Sequence, residues 1–129
     1  MVGKWALKEP KSPQSRRSIA MPPSLAILLR QYKEEQETQR ILIGKPLTDS
    51  DFVFAHLDGK PLDPSTVTYA FAKIVRKAGL PHIHFHDLRH THATLMLKAG
   101  VYPKVVSERL GHAKVSITLD TCSHILLGL

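Results

Sequence analysis

His86 and Arg89 stand three residues apart in the run Phe85-His-Asp-Leu-Arg-His-Thr-His-Ala-Thr94. On a helix that spacing puts both side chains on one face, within reach of a common phosphate. The arginine offers a planar fork matched to two phosphate oxygens, and the imidazole donates or relays a proton near neutral pH. The same pair also fits the first turn of any helix with ordinary surface polar residues, so a second motif has to decide. A metal reading competes: His82, His84 and His86 alternate, with His90 and His92 following. An extended backbone would point the three alternating imidazoles one way, as in a transition-metal site. No cysteine or carboxylate stands beside them at a standard ligand spacing, and the phosphate reading uses His86 without a metal.

Composition bounds the classes that remain. The chain has 129 residues, 43% of them hydrophobic, enough for one core and too few for a second independent one. Its longest apolar runs, Leu25-Ala-Ile-Leu-Leu29 and Ile41-Leu-Ile43, are too short to span a bilayer, and Met1-Val-Gly-Lys-Trp5 lacks a signal-peptide core. No membrane association is expected, and the expected compartment is the cytoplasm. The single cysteine cannot form an internal disulfide, which suits a reducing environment. A formal charge of +7 favours an anionic partner. The basic residues are spread along the chain and interrupted by Glu34-Glu-Gln-Glu37 and Asp49-Ser-Asp51, so charge alone marks no binding face.

The elements that must position these groups are readable in outline. Trp5-Ala-Leu7 and Arg17-Ser-Ile-Ala20 read as two short strands of a hairpin, with the proline- and serine-rich Glu9 to Ser15 as its turn. A helix opening at Pro22-Pro-Ser24 carries Leu25, Leu28, Leu29 and Tyr32 at helical spacing and should pack on that hairpin. Phe52-Val-Phe54 reads as a strand, followed by a tight turn at Asp58-Gly59. Asp63-Pro-Ser65 supplies cap chemistry for a helix over 66–77 that stops at Gly79, with Val67, Phe71, Ile74 and Val75 on one stripe. From His86 onward the pattern is helical throughout. One segment carries Leu88, Ala93, Leu95, Met96 and Leu97 and ends at Gly100, one runs from Pro103 to Gly111, and one covers 115–125. The three tyrosines, Tyr32, Tyr69 and Tyr102, read as packing residues.

Two further boxes follow the His86-Asp-Leu-Arg-His90 run in order: Leu110-Gly-His112, then Leu119-Asp-Thr-Cys-Ser-His124. Together the three resemble the phosphate-handling end of a tyrosine recombinase of the phage and transposon integrase kind, most specifically over residues 84–126. The resemblance implies an α+β, mainly helical fold with a small antiparallel β-hairpin region packed on a helical bundle. It also implies DNA breakage and rejoining through a 3′-phosphotyrosyl link that frees a 5′ hydroxyl, without ATP. In those terms Arg89 is the transition-state phosphate clamp and His86 and His112 are phosphate-contacting proton relays. Lys11 is the hairpin lysine that protonates the departing 5′ oxygen, and Arg16 and Arg17 add backbone contacts. Neither a metal nor another cofactor is implied, because Arg and His supply the charge a divalent ion would supply. The implied partner is double-stranded DNA at recombination sites. The implied assembly is a tetramer on two such sites with C-terminal segments exchanged. Ser123 to Leu129 reads either as the start of such a segment or as a tail packed on its own domain. A bacterial or phage origin, with association with the nucleoid, follows from the same resemblance.

Two departures from the family pattern shape the expectation. The family places a further arginine in an Arg-x-x-Glu-like helical box upstream of the lysine, and a separate DNA-clamping domain before that. The chain is therefore expected to be the C-terminal part of a larger integrase. The second departure is Cys122, which stands where the family has its nucleophilic tyrosine. A thiol ends one bond beyond Cβ, far short of a phenolic oxygen, so the chain is expected to bind DNA and to be impaired in cleaving it. The alternative is a noncatalytic DNA-binding or regulatory remnant that kept its phosphate contacts.

Overall fold

Prolines and glycines set the boundaries of five helices in the computed structural model, which describes residues 6–126, with side chains through residue 120. The helices are α1 (Pro23–Leu42), α2 (Pro64–Lys77), α3 (Asp87–Lys98), α4 (Pro103–Leu110) and α5 (Val115–Leu126). Three of them begin at a proline, whose missing N–H is no loss in a first turn. Glycines with positive φ follow α1, α2, α3 and α4. Residues 20–85 form one unit, and the segment up to residue 19 joins the chain from His86 onward in another.

In the unit of residues 20–85, Asp63 caps α2 by accepting from the Ser65 backbone N–H at 2.9 Å and from its hydroxyl at 2.7 Å. Val75 is the buried apolar side chain of α2, with Val67 and Phe71 half-buried, while Ile74 turns outward. Phe71 meets Phe85 edge-on, with ring centroids 5.4 Å apart. The loop after α1 is organised by Arg40, which is only 7% exposed. Its Nε donates to the Lys45 carbonyl at 2.5 Å and its Nη2 lies 3.5 Å from Asp51 Oδ2. Asp51 in turn accepts from the Thr48 backbone at 2.8 Å and from its hydroxyl at 3.0 Å. Those Thr48 bonds, more than the Arg40 charge, hold the Asp51 carboxyl below its ordinary value. Tyr32 and Phe54 close the same region, and a groove of about 530 Å³ runs between α1 and residues 47–53.

In the other unit, α3, α4 and α5 pack on one another around Ala93, Val106 and Leu110, with Met96, Leu97 and Val101 against them. The apolar set on α3 divides. Ala93, Met96 and Leu97 face the core, whereas Leu88 and Leu95, seven residues apart and on a single line along the helix, are 42% and 60% exposed. Leu88, expected with the apolar set of this segment, therefore faces outward. Tyr69 on α2 and Tyr102 before α4 are likewise exposed rather than packed, and only Tyr32 is half-buried.

The expected β-hairpin is not formed. Among the described residues there is no β-strand, and the one extended pairing is an isolated bridge between Ala55 and Pro61. Residues 17–20 form no strand, and the turn ahead of them is a 3-10 helix over Pro13–Ser15. Trp5, at the start of the first strand reading, lies outside the described residues. The physical reason is that a lone two-stranded pair is marginal without a face to bury. Leu7 and Ile19 are both exposed here, so pairing them would bury little. Phe52 to Phe54 also forms no strand. The turn beside it does close, with His56 N–H donating to the Lys60 carbonyl at 2.9 Å and Gly59 at φ 89°. The fold is thus helical rather than α+β. No helix among the described residues is long and apolar enough to cross a membrane.

Candidate functional site

Arg89 lies one helical turn before Ala93 on the face of α3 that packs against α4 and α5. That placement sends its guanidinium to the C-terminal end of α4, where Nη2 donates to the Leu110 carbonyl at 2.5 Å. Arg17, from the N-terminal segment of the same unit, reaches the same helix end: its Nε donates to the Arg109 carbonyl at 2.7 Å. The last carbonyls of a helix have no partner of their own and sit at the negative end of its dipole, so two cations are favoured there.

The chain then reverses. Gly111 takes φ 70°, and the N–H groups of Gly111 and His112 return to the carbonyls of Glu108 and Ser107 at 3.1 and 3.0 Å. This left-handed turn lifts His112 off α4 and toward the start of α5. There its Nδ1 lies 2.7 Å from the hydroxyl of Thr118, which is fully buried. Glycine is required at this turn for a second reason. A Cβ at residue 111 would lie 2.5 Å from Arg17 Nη1, 2.8 Å from Cζ and 2.9 Å from the Gln14 carbonyl oxygen.

Among the grouped side chains, His112 is the one whose pKa is lowered. Burial is the largest cause lowering its pKa, followed by the charges of Arg89, His90 and Arg17. Two guanidinium groups close enough to disfavour a proton on His112 mark a place where an anion would be welcome. With the folded pKa below the ordinary 6.5, the stabilising contribution of neutral His112 is present above that value and lost as pH falls through the lowered folded pKa. Acidification should therefore erode the stability of the wild-type chain more than that of His112→Gln. Urea unfolding at about pH 7.5 and about pH 5.5 checks this.

The other expected site residues are placed less closely. His86 stands at the residue before α3 without a side-chain capping bond, its ring 5.3 Å from that of His90 in an edge-on pair, so it joins the cluster through His90. Lys11 is exposed on the bend ahead of the 3-10 turn and makes no hydrogen bond or ion pair among the described residues. Arg16 is ion-paired with Glu9 at the surface. The α5 backbone runs through residue 122, but the side chain of Cys122 lies outside the described residues, as does the segment from Ser123 to Leu129 apart from its α5 backbone. His82 and His84 pair edge-on at 4.9 Å in the unit of residues 20–85. Among the described residues no group of three or more His, Cys, Asp or Glu is placed to hold a metal ion. Two participants were not read from sequence: Arg17 as a cap of α4, and Thr118 as the partner of His112.

Residues 4–124 match the model of the phage integrase family. The chain belongs to that family. Among its relatives, a "Tyrosine recombinase XerC-like" protein of Caldanaerobacter subterraneus subsp. tengcongensis is 33% identical over 120 residues, covering 91% of this chain and 31% of the relative. "Tyrosine recombinase XerC" of Bacillus licheniformis is 42% identical over 84 residues, 64% of this chain and 28% of the relative. "Transposase A from transposon Tn554" of Staphylococcus aureus is 37% identical over 98 residues, 76% of this chain and 25% of the relative. This integrase-family chain thus spans about a third or less of the length of these relatives. No solved structure gave a significant match.

Proposed function

We propose that this chain is the phosphate-gripping part of a site-specific DNA recombinase, and that it binds double-stranded DNA at the cluster built on the C-terminal end of α4. The observation that carries the reading is the meeting of Arg89 and Arg17 on adjacent carbonyls of α4, with His112 at the turn that follows. Arg89 has five N–H donors, so engaging one nitrogen on Leu110 leaves the fork able to take phosphate oxygens. His112 donates to a second oxygen, and His86 and His90 add further ring N–H donors at the rim. The fixed guanidinium and imidazole groups stabilise charge at a phosphorus under attack without reorganising. Lys11, on the segment that Arg17 pins, is the general acid toward the leaving 5′ oxygen.

Residue 122 limits the chemistry. In the reaction of this family a phenolic oxygen attacks phosphorus, the 5′ oxygen leaves with a proton, and the 3′ phosphate stays on the protein. From the same α5 backbone a cysteine sulfur ends several ångströms short of where a phenolic oxygen would reach, roughly the length of an aromatic ring. Bound phosphates also oppose formation of the thiolate that would have to attack. The chain as it stands therefore holds DNA without cleaving it.

A nicked duplex analysed on a denaturing gel should show no covalent protein–DNA adduct with the wild-type chain. Retarded complexes should form on a native gel. An adduct abolished by Cys122→Ser would overturn the account of residue 122. Absence of any duplex binding at low salt would overturn the DNA-binding reading itself.

A further inference from the structure

Thr118 is the polar side chain most deeply placed in the α3–α5 unit, fully buried on the first turn of α5. A hydroxyl in such a place is costly unless it is hydrogen-bonded, and valine would fill the same shape without that cost. Its bond to His112 Nδ1, at 2.7 Å, accounts for a threonine at this position. A neutral imidazole carries one N–H, and the partner of one ring nitrogen decides which nitrogen holds it.

We propose that Thr118 is a positioning residue: its hydroxyl donates to His112 Nδ1 and so holds the neutral imidazole as the Nε2–H tautomer, ready to donate to a phosphate oxygen. The inference rests on the reading of His112 as a phosphate-contacting group. The opposite arrangement, with Nδ1–H donating to the hydroxyl, would turn a bare Nε2 lone pair toward phosphate oxygens that are themselves acceptors. The ring would then need a second proton before it could bind, and burial disfavours that proton first, followed by the neighbouring Arg89, His90 and Arg17. Thr118 removes the requirement. With the tautomer fixed, His112 serves as a donor while uncharged.

The test reads the ring directly. Long-range proton–nitrogen spectra of the 15N-labelled 129-residue chain are recorded at about pH 7.5, with His112 assigned by the signals lost in His112→Gln. The expected pattern is an unprotonated Nδ1 and a protonated Nε2, kept in Thr118→Ser and lost to a mixture of tautomers in Thr118→Val. A protonated Nδ1 in the wild type, or an unchanged pattern in Thr118→Val, overturns the proposal. If the valine variant does not fold, the wild-type and serine spectra decide alone. These spectra are taken without DNA, so they succeed or fail independently of whether the chain binds a duplex. As a second readout, binding of a short duplex should weaken roughly three- to tenfold in Thr118→Val, the loss of about one hydrogen bond, and hold in Thr118→Ser. Equal binding by the two variants would assign Thr118 a purely structural role.

Discussion

Arg89→Ala is expected to weaken binding of a short DNA duplex by roughly 10- to 100-fold, because a charge-assisted hydrogen bond from a guanidinium is worth about 1.5–3 kcal/mol. The same change removes the donor to the Leu110 carbonyl and uncaps α4. That costs about 1 kcal/mol of stability, typical of one hydrogen bond at a helix end. Fluorescence anisotropy, measured well below the unfolding temperature of each variant, separates the two effects. Arg89→Lys should fall between wild type and alanine, since it keeps the charge and loses the fork. The slope of log affinity against log salt should drop by about one on Arg89→Ala, the signature of one lost phosphate contact. An alanine variant that binds as tightly as wild type, with the same slope, would remove Arg89 from the interface.

Gly111→Ala carries the largest expected cost to the fold. A non-glycine residue in the left-handed region costs about 1–2 kcal/mol, and the new methyl also collides with the Arg17 guanidinium and the Gln14 carbonyl. Gln14 is backbone and cannot swing aside as a side chain can. The segment from Ser12 to Arg17 must therefore lift away and give up the Arg17 bond to Arg109, for a total of about 2–4 kcal/mol when the lost bond is included. Urea unfolding measures the total. Arg17→Ala should make the same glycine substitution cheaper by removing one of the colliding groups, so the double variant should be less destabilised than the sum of the singles. Strict additivity would mean that Arg17 does not rest on Gly111.

Local chemistry was legible in the sequence where it depends on neighbours along the chain. Pro64 and Pro103 open their helices, and Gly79, Gly100 and Gly111 stand just past the helix ends with positive φ. Asp63 caps as its type and place suggested. The failures share a cause, which is dependence on distant partners. A strand at 17–20 or 52–54 exists only if another strand pairs with it, and none does among the described residues. On α3, apolar type alone does not separate the Leu88 and Leu95 line from the face that meets α4 and α5. At the site, the spacing of His86 and Arg89 and the glycine before His112 were readable. The Arg17 contact joins residues 92 apart and could not have been read from local pattern. Thr118, six residues beyond His112, carried only a weak signal, a hydroxyl between Ile117 and Leu119 in the sequence.

The proposed DNA-binding site is a single anion-binding locus of Arg89, Arg17 and His112 at the C-terminal end of α4. Amide and arginine side-chain chemical shifts of the 15N-labelled chain, followed during titration with a short DNA duplex, test it most directly. The largest changes should fall on the Arg89 and Arg17 side-chain N–H groups and on the amides of Leu110, Gly111 and His112. Changes confined to residues 20–85, with these groups unmoved at saturation, would contradict it.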